Sequence, residues 1–175
     1  MEKPYLKVTK LKENAIIPTK RVEDGFFDLY GCYDEKALFL KPGDIKLISI
    51  GLAIEFPIDW TFRVFERGST GSKGIALRCG VIDSGYRGEC FIAINNTSNK
   101  LIIISDENIE EIKQNFKEEI NGINDQDITL YPQKKAIAQG GLIYSPHIEI
   151  DEVESISDLN LETERQGGKL GSSNK

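Results

Sequence analysis

The sequence predicts an all-β protein that carries one short helical insert. Short apolar runs separated by turn residues follow one another closely over the first 150 residues, a pattern typical of a β-barrel or β-sandwich. A chain of 175 residues is long enough to form one domain with its own core. We therefore expect a single β-domain over residues 1–150.

The predicted strands differ in how they are recognised. Residues 5–11 alternate apolar and polar side chains, whereas residues 45–56 are rich in isoleucine and end at Pro57. The Pro-Gly-Asp turn at residues 42–44 precedes that longer run. The remaining candidates are the aromatic run 24–31 and residues 61–65, 75–77, 81–82, 89–95 and 136–144.

One segment has helical rather than β periodicity. Residues 106–120 place four apolar side chains on one helical face, which predicts about four turns of helix. Ser105 or Asp106 is a candidate for its N-terminal cap, and Gly122 follows its expected end. The apolar positions are Ile109, Ile112, Phe116 and Ile120. We expect this helix to lie in an insert of about residues 99–131, docked on the barrel by its apolar stripe.

The composition changes again after residue 150. Residues 151–175 are acidic, contain few large apolar groups and end in a glycine- and serine-rich sequence. Such a segment cannot bury enough apolar surface to fold alone, so we expect a mobile C-terminal arm.

Charge and hydropathy exclude several classes of function. The net charge is −6, which disfavours binding to nucleic acid because the phosphate backbone repels an acidic surface. The sequence contains no run of 18 apolar residues, so it predicts no membrane-spanning helix. Residues 1–4 do not resemble the start of a signal peptide. We expect a cytoplasmic protein that does not associate with membranes.

The metal-ligating residues are few and scattered. Cys32, Cys79 and Cys90 form no Cys-x-x-Cys pair, and His147 is the only histidine. Three scattered cysteines indicate reduced thiols rather than a disulfide framework or a structural zinc site. We interpret His147 as a surface or turn residue.

The first candidate site is the small-residue turn at residues 66–74, which contains Arg67, Gly68, Ser69 and Thr70. Small residues let backbone N–H groups approach an anion, and the arginine and hydroxyls add further donors. Its spacing differs from that of a P-loop.

The second candidate site is the segment 80–89, which we expect to be a tight β-hairpin that holds Asp83 and Tyr86 at fixed separation. A carboxylate can orient or deprotonate a water, and an aromatic face can pack against a sugar. By itself, the pair is better explained as an Asx-turn with a packed tyrosine.

The third candidate is Arg165 in the C-terminal arm, since an arginine on a mobile segment can close over phosphates. In isolation this segment is better explained as a disordered terminus.

Taken together and in this order, these segments resemble the five motifs of the trimeric dUTP pyrophosphatases (dUTPases). The segment 80–88 is the most specific match, and the resemblance spans most of the chain outside the insert. The five segments are Asp24-Gly-Phe-Phe-Asp-Leu29, Arg67-Gly-Ser-Thr70, Gly80-Val-Ile-Asp-Ser-Gly-Tyr-Arg-Gly88, Ala136-Ile-Ala-Gln139 and residues 165–173.

The resemblance implies a β jelly roll, a homotrimer whose active sites each draw on three subunits, and hydrolysis of dUTP to dUMP and pyrophosphate. Asp83 would activate the water that attacks the α-phosphorus, and Tyr86 would stack on the deoxyribose and exclude a 2′-hydroxyl. The backbone of residues 77–83, including Gly80, would read uracil. Mg²⁺ would be bound through the triphosphate and water, without direct protein ligands. The implied phosphate-binding residues are Arg67, Gly68, Ser69, Thr70, Gln139, Arg165, Gly171, Ser172 and Ser173.

The chain departs from the family at four positions. Gly68 occupies the usual serine position of the second motif, and Ala136 stands where the fourth usually has arginine. Leu77 or a neighbouring residue replaces an asparagine that often contacts uracil, and Leu170 replaces the phenylalanine that covers the base. Losing that ring would weaken stacking by about 1 kcal/mol.

Two alternatives remain open. The insert is most similar to the phage-encoded branch, some of whose members also bind regulatory proteins. A dUTP-binding regulatory protein that acts through residues 99–131 is therefore the alternative from another class. A relative of the dCTP deaminases is less well supported, because an ungapped comparison places Ala93 where the deaminase glutamate would stand.

Overall fold

The computed structural model describes residues 4–160 and 162, and most of its regular structure is β. The predicted all-β class is confirmed. The strands are β1 (Lys7–Lys10), β2 (Phe27–Leu29), β3 (Ala37–Leu40), β4 (Ile45–Ser49), β5 (Leu52–Glu55), β6 (Trp60–Phe65), β7 (Ile75–Leu77), β8 (Val81–Ile82), β9 (Phe91–Asn96), β10 (Leu101–Ser105), β11 (Ile128–Tyr131) and β12 (Ala138–Tyr144). The helices are α1 (Gly68–Gly71) and α2 (Ile109–Asn115), with 3-10 turns at Asp125–Asp127 and Ile156–Asp158.

The strands form four small sheets. The largest has the order β2-β12-β6-β8, and the others are β4-β9-β7, β11-β10-β3 and β1-β5. Most neighbouring strands are antiparallel, but β10 and β11 are parallel. Parallel strands need a crossover of a dozen or more residues, and here α2 lies in that connection.

One core joins these sheets. Leu40, Ile94 and Ile102 are fully buried although they come from three different strands, β3, β9 and β10. The core also contains Leu29, Leu52, Phe62, Ile75, Ile92, Ile104, Tyr131 and Ile137. Because burial of one such side chain stabilises the fold by roughly 1.5–3 kcal/mol, this cluster provides the rigid frame for the surface loops.

Several predicted element bounds were wrong. The expected strand 45–56 is divided at Gly51, whose φ of 65° lies in the left-handed region and turns the chain from β4 into β5. A Cβ at Gly51 would lie 2.8 Å from Cβ of Ala15, which adds a steric requirement for glycine. Strands β3, β10 and β11 were missed, although the continuous apolar run Leu101–Ile104 is typical of a fully buried strand.

The insert helix is shorter than expected and begins later. Asn108 caps α2, and its Oδ1 accepts hydrogen bonds from the backbone N–H groups of Glu110 and Glu111. The chain leaves the helix at Phe116, so residues 116–120 are turns rather than helix. The predicted caps at Ser105 or Asp106 and the helical end near residue 120 were therefore wrong.

The apolar stripe of the insert is nevertheless used as expected. Ile112 and Ile120 are buried in a second cluster with Ile103 of β10, and Phe116 packs against Phe39 with ring centroids 5.3 Å apart. The insert thus covers the outer side of the β11-β10-β3 sheet with its own apolar residues.

None of the helices in the described part of the chain is both long and apolar enough to cross a membrane.

Candidate functional site

The segment 80–89 connects two sheets and is not the predicted β-hairpin. β8 pairs with β6, whereas β9 pairs with β4 and β7, so the strands on either side of Asp83 belong to different sheets. The chain turns tightly at this crossing, where the N–H of Tyr86 donates to the carbonyl oxygen of Asp83 at 3.0 Å. The predicted turn that holds Asp83 and Tyr86 together is therefore present, although the strands on either side of it do not form a hairpin.

Gly80 lets the start of this segment lie close to β6. The N–H of Val64 donates to the carbonyl oxygen of Gly80 at 2.8 Å. A Cβ on Gly80 would lie 2.8 Å from the carbonyl oxygen of Val64, which is backbone and cannot move easily. Glycine is required here for close approach of the two strands.

The ring of Tyr86 is held at both ends. Its backbone N–H takes part in the turn, and its hydroxyl donates to the carbonyl oxygen of Glu89 at 2.7 Å. The ring folds over Gly88, where a Cβ would lie 2.5 Å from Oη and 2.7 Å from Cζ of Tyr86. Gly88 thus makes room for the ring, while 44% of the tyrosine surface remains exposed.

Asp83 lies on the surface beside this ring. The carboxylate and Tyr86 line a shallow cavity of about 230 Å³, together with Glu89, Phe91 and the edge of β8. An exposed carboxylate next to an open aromatic face can hydrogen-bond a water and receive its proton.

A second and larger cavity lies at the other end of β6. It has a volume of about 700 Å³ and is lined by the predicted residues Arg67, Gly68, Ser69 and Gln139. The rest of its wall was not among the predicted site residues, although Asp24 and Asp28 belong to the first motif. These wall residues are Thr19, Lys20, Arg21, Asp24, Gly25, Phe26 and Asp28. Two consecutive cations just before the first motif of an acidic chain were the signal for Lys20 and Arg21.

Arg67 joins three separate parts of the chain at this cavity. Its Nε and Nη2 donate to the two carboxylate oxygens of Asp28 at 2.8 and 3.3 Å. Its Nη1 donates to the carbonyl oxygen of Ala136 at 3.1 Å and to Oγ of Ser69 at 3.1 Å. Most guanidinium donors are already satisfied within the protein, so Arg67 holds the cavity wall in place.

The turn after Arg67 separates two roles. Thr70 is buried, and its hydroxyl accepts from the N–H of Arg67 and donates to the carbonyl oxygen of the same residue. This hydroxyl therefore shapes the turn. Gly68 and Ser69 are exposed, and a Cβ at Gly68 would meet no atom within 4 Å. The cavity has room for a serine side chain at this position.

The fourth predicted segment contributes both side chain and backbone. Gln139 pairs with Phe65 across β12 and β6, and its amide nitrogen donates to the carbonyl oxygen of Glu66 at 2.8 Å. The carbonyl oxygen of Ala136 accepts from Arg67 and also from the hydroxyl of Tyr131, at 2.6 Å. Ala136, which stands where the fourth motif usually has arginine, thus contributes to the cavity wall through its backbone carbonyl rather than through a side chain.

The charges in the larger cavity are largely paired. Arg21 forms a two-pronged contact with Asp24 and, chiefly through this hydrogen bond, holds the pKa of that carboxyl below its usual range. Arg67 is paired with Asp28. Lys20 donates to the carbonyl oxygen of Asp24 and adds positive charge at the cavity wall. In residues 4–160 and 162, His, Cys, Asp and Glu side chains form no group of three that could hold a metal ion.

Both the backbone and the side chain of Leu77 contact other parts of this chain. Its N–H donates to Oε1 of Glu66 at 2.9 Å, and its side chain packs against the main core. In the predicted uracil-reading backbone of residues 77–83, the N–H groups of Leu77 and Arg78 are therefore already engaged, the second by the carbonyl oxygen of Ala93 at 3.0 Å.

The two cavities do not meet within one chain. Ile82 pairs with Phe62 on one side of β6, while Gln139 pairs with Phe65 on the other side. Asp83 and Gln139 are thus three to four residues apart along β6 and two strands apart across it, which corresponds to roughly 14–16 Å.

The predicted residues of the arm, Arg165, Gly171, Ser172 and Ser173, lie outside the described residues, as does Leu170.

The chain is similar in sequence to known dUTPases. The model of the dUTPase family matches residues 12–108. A deoxyuridine 5'-triphosphate nucleotidohydrolase of Nautilia profundicola is 34% identical over 174 residues, which cover 97% of this chain and 99% of that protein.

Solved structures with a similar fold come from bacteriophages. The Staphylococcus bacteriophage 80alpha dUTPase with dUPNHPP has a TM-score of 0.70 at 21% identity, covering 98% of this chain and 99% of that chain. A dUTPase from phage phi11 of S. aureus, solved to show a species-specific insert, has a TM-score of 0.66 at 20% identity, covering 89% and 99%. At this identity the likeness concerns the fold, and it agrees with the predicted jelly roll.

Proposed function

Because this chain belongs to the dUTPase family, we propose that it hydrolyses dUTP to dUMP and pyrophosphate. The observation that carries the proposal is the turn of the 80–89 segment. That turn presents the exposed carboxylate of Asp83 beside the immobilised ring of Tyr86. Phosphoryl chemistry needs positioned charge more than a covalent nucleophile, and this site offers a base together with a donor-rich cavity.

In this proposal, Asp83 orients a water and accepts its proton as the water attacks the α-phosphorus of dUTP. The oxygen that joins the α- and β-phosphorus atoms then leaves with pyrophosphate. Asp83→Asn should therefore lose dUTP turnover, since an amide cannot take the proton. The expected loss is about 10²–10⁴-fold in kcat, with dUTP binding retained. Unchanged turnover in a folded Asp83→Asn protein would exclude this role.

Tyr86 acts as the sugar gate. Its exposed face would pack against the deoxyribose, and its hydroxyl is already engaged by Glu89, so the ring cannot swing aside to admit a 2′-hydroxyl. We therefore expect the site to select dUTP over UTP by shape.

A second copy of the chain is needed to complete the site. A triphosphate whose terminal phosphates lie at Ser69 and Gln139 is too short to place its α-phosphorus beside Asp83 of the same chain, roughly 14–16 Å away. Phe91, which is 44% exposed, lines the Asp83 cavity, and Leu47, which is 69% exposed, lines a neighbouring cavity together with Phe91. Coverage of this surface by another copy would bring the two half-sites together, as expected for a homotrimer.

Mixed subunits test the shared site directly. Asp83→Asn inactivates one half-site and Gln139→Glu, which adds a carboxylate beside the phosphates, inactivates the other. Trimers refolded from an equal mixture should recover about one quarter of wild-type activity, because an intact site then forms where two different subunits meet. No recovery from a mixture that forms trimers by light scattering would place each site within one chain.

The phosphates would lie in the larger cavity. Ser69, Gly68 and Lys20 face open space there, while Arg67 keeps the wall in position. The residues fit Mg²⁺ that arrives with the triphosphate, since Asp24 and Asp28 are paired with arginines and keep carboxylate lone pairs for water-mediated contacts. When bound, the ion neutralises charge on the phosphate oxygens.

The C-terminal arm would close over the bound nucleotide through Arg165, Gly171, Ser172 and Ser173. Removal of residues 165–175 should therefore impair turnover and leave the trimer intact. A chain shortened only at residues 174–175 is the matched control. Full activity of the longer truncation would rule out a lid function.

Two other functions are less well supported. Ala93, at the position compared with the deaminase glutamate, is buried in β9. The apolar stripe of the insert packs against its own sheet, which favours an internal role over partner binding. Assays of dUTP, dCTP, UTP and dTTP for pyrophosphate and for ammonia separate the pyrophosphatase from both alternatives. Pyrophosphate from dUTP alone is the expected result.

A further inference from the structure

We propose that Glu89 is a positioning residue that fixes the Tyr86 ring and thereby sets discrimination between deoxyribonucleotides and ribonucleotides. This inference rests on the proposed hydrolysis of dUTP, and it assigns a role to a residue of the 80–89 segment that is not among the predicted site residues.

The carbonyl that holds the Tyr86 hydroxyl belongs to a peptide group that is itself held in place. The oxygen of this group, from Glu89, accepts from Tyr86 at 2.7 Å, and its N–H, from Cys90, donates to the carbonyl oxygen of Leu52 at 2.8 Å. The carbonyl oxygen of Cys90 also accepts from the N–H of Ile50 at 3.1 Å. The anchor for the ring is therefore tied to the turn between β4 and β5.

The side chain of Glu89 adds a second tie to the same turn. Its Oε1 accepts from Oγ of Ser49 at 2.5 Å, and that hydroxyl oxygen accepts from the N–H of Gly51 at 2.9 Å. Gly51 is held in turn, because its carbonyl oxygen accepts from the N–H of Leu11 at 2.8 Å. The turn is thus linked through Ser49 to the side chain of Glu89, and the backbone carbonyl of the same residue holds the Tyr86 hydroxyl.

The consequence for the reaction concerns the sugar. Tyr86 is 44% exposed, and beyond its backbone N–H in the Asp83 turn, the contacts that restrain its ring are the hydroxyl bond to Glu89 and the packing over Gly88. If the Glu89 tie is removed, the ring gains freedom to move away from the sugar and the space for a 2′-hydroxyl increases. Selectivity should fall more than the rate with dUTP, because Asp83 is held by the turn independently.

The experiment compares kcat/KM for dUTP with kcat/KM for UTP in purified full-length variants. Glu89→Ala should lower this ratio about tenfold or more, since small displacements of a positioning group have effects of that size. Glu89→Gln retains an acceptor oxygen for Ser49 and should keep most of the ratio. Ser49→Ala removes only a hydroxyl and should lower the ratio even if Glu89→Ala fails to fold. Glu110→Ala, on the exposed face of α2, is the matched control.

A double variant and a binding measurement separate positioning from simple loss of structure. Tyr86→Phe already removes the hydroxyl, so adding Glu89→Ala to it should change the ratio little further. In the Asp83→Asn background, the ratio of the dissociation constants for dUTP and UTP should change in the same direction without any turnover.

Three results would overturn the proposal. These are an unchanged ratio in folded Glu89→Ala and Ser49→Ala, equal losses with both nucleotides, and a Glu89→Gln loss as large as that of Glu89→Ala. If the wild-type protein does not hydrolyse dUTP, the proposed function fails instead, which is a distinct outcome.

Discussion

Arg67 should contribute to the stability of the protein as well as to substrate binding, and its replacement distinguishes these roles. Arg67→Ala removes the two-pronged contact to Asp28, the contact to Ser69 and the hydrogen bond to the carbonyl oxygen of Ala136. The side chains of Arg67 and Asp28 are 27% and 36% exposed, so solvent weakens their ion pair only in part.

The expected magnitude follows from these contacts. A partly exposed two-pronged ion pair contributes about 1–2 kcal/mol, and the hydrogen bond to the Ala136 carbonyl about 1 kcal/mol. Arg67→Ala should therefore lower the free energy of unfolding by about 2–3 kcal/mol, or lower Tm by about 4–12 °C for a chain of this size. Arg67→Lys should behave similarly, because an ammonium cannot make the paired contact.

The assay is urea unfolding followed by circular dichroism at one fixed protomer concentration, because association of subunits changes apparent stability. Arg21→Ala is the matched control. Arg21 makes the same kind of contact to Asp24 but is 83% exposed, so its replacement should leave the free energy of unfolding nearly unchanged. The reasoning is refuted if Arg67→Ala unfolds like the wild type and only KM for dUTP rises, since Arg67 would then act only on the substrate.

Three further predictions concern other parts of the molecule. Gly68→Ser should fold normally and lower KM for dUTP, because the new side chain enters open space in the larger cavity. Loss of activity would instead show that the absence of a side chain is required at this position. Ile112→Ala should destabilise the protein by about 2–5 kcal/mol while kcat for dUTP stays unchanged, and a selective loss of turnover would link the insert to catalysis. Burial raises the pKa of the Cys32 thiol, and it raises the pKa of the Cys90 thiol to about 11. At pH 8, a thiol reagent should therefore modify only the exposed Cys79 among the three cysteines of the folded protein. Reaction of a second thiol would contradict the burial of Cys32 and Cys90.

Local sequence patterns identified the parts of the site that lie on one short segment. Asp83, Tyr86 and the surrounding glycines form a recognisable group because a turn brings residues three apart together. The same local information was ambiguous about strand partners. It predicted a hairpin at 80–89, whereas the tertiary pairing of β8 with β6 and of β9 with β4 makes this segment a crossing between sheets.

The insert shows the same division. Its apolar stripe was read correctly, since Ile112 and Ile120 are buried together in the second cluster. Its length was not, because the helical period continues through residues 116–120 while the chain turns at Phe116 to contact Phe39. A helix of two turns depends on its packing partners more than on propensity, and those partners are distant in sequence.

By itself, the sequence determined the all-β class, the acidic composition, and the turn around Asp83 that we propose to be catalytic, because composition, periodicity and a turn are properties of neighbouring residues. Only the tertiary structure decided that Arg67 holds Asp28 and Ala136, and that the two halves of the site face different ends of β6. Arg67 is 39 positions from Asp28 and 69 from Ala136. Contacts over such separations depend on strand order and register, which the periodicity of a single strand does not specify.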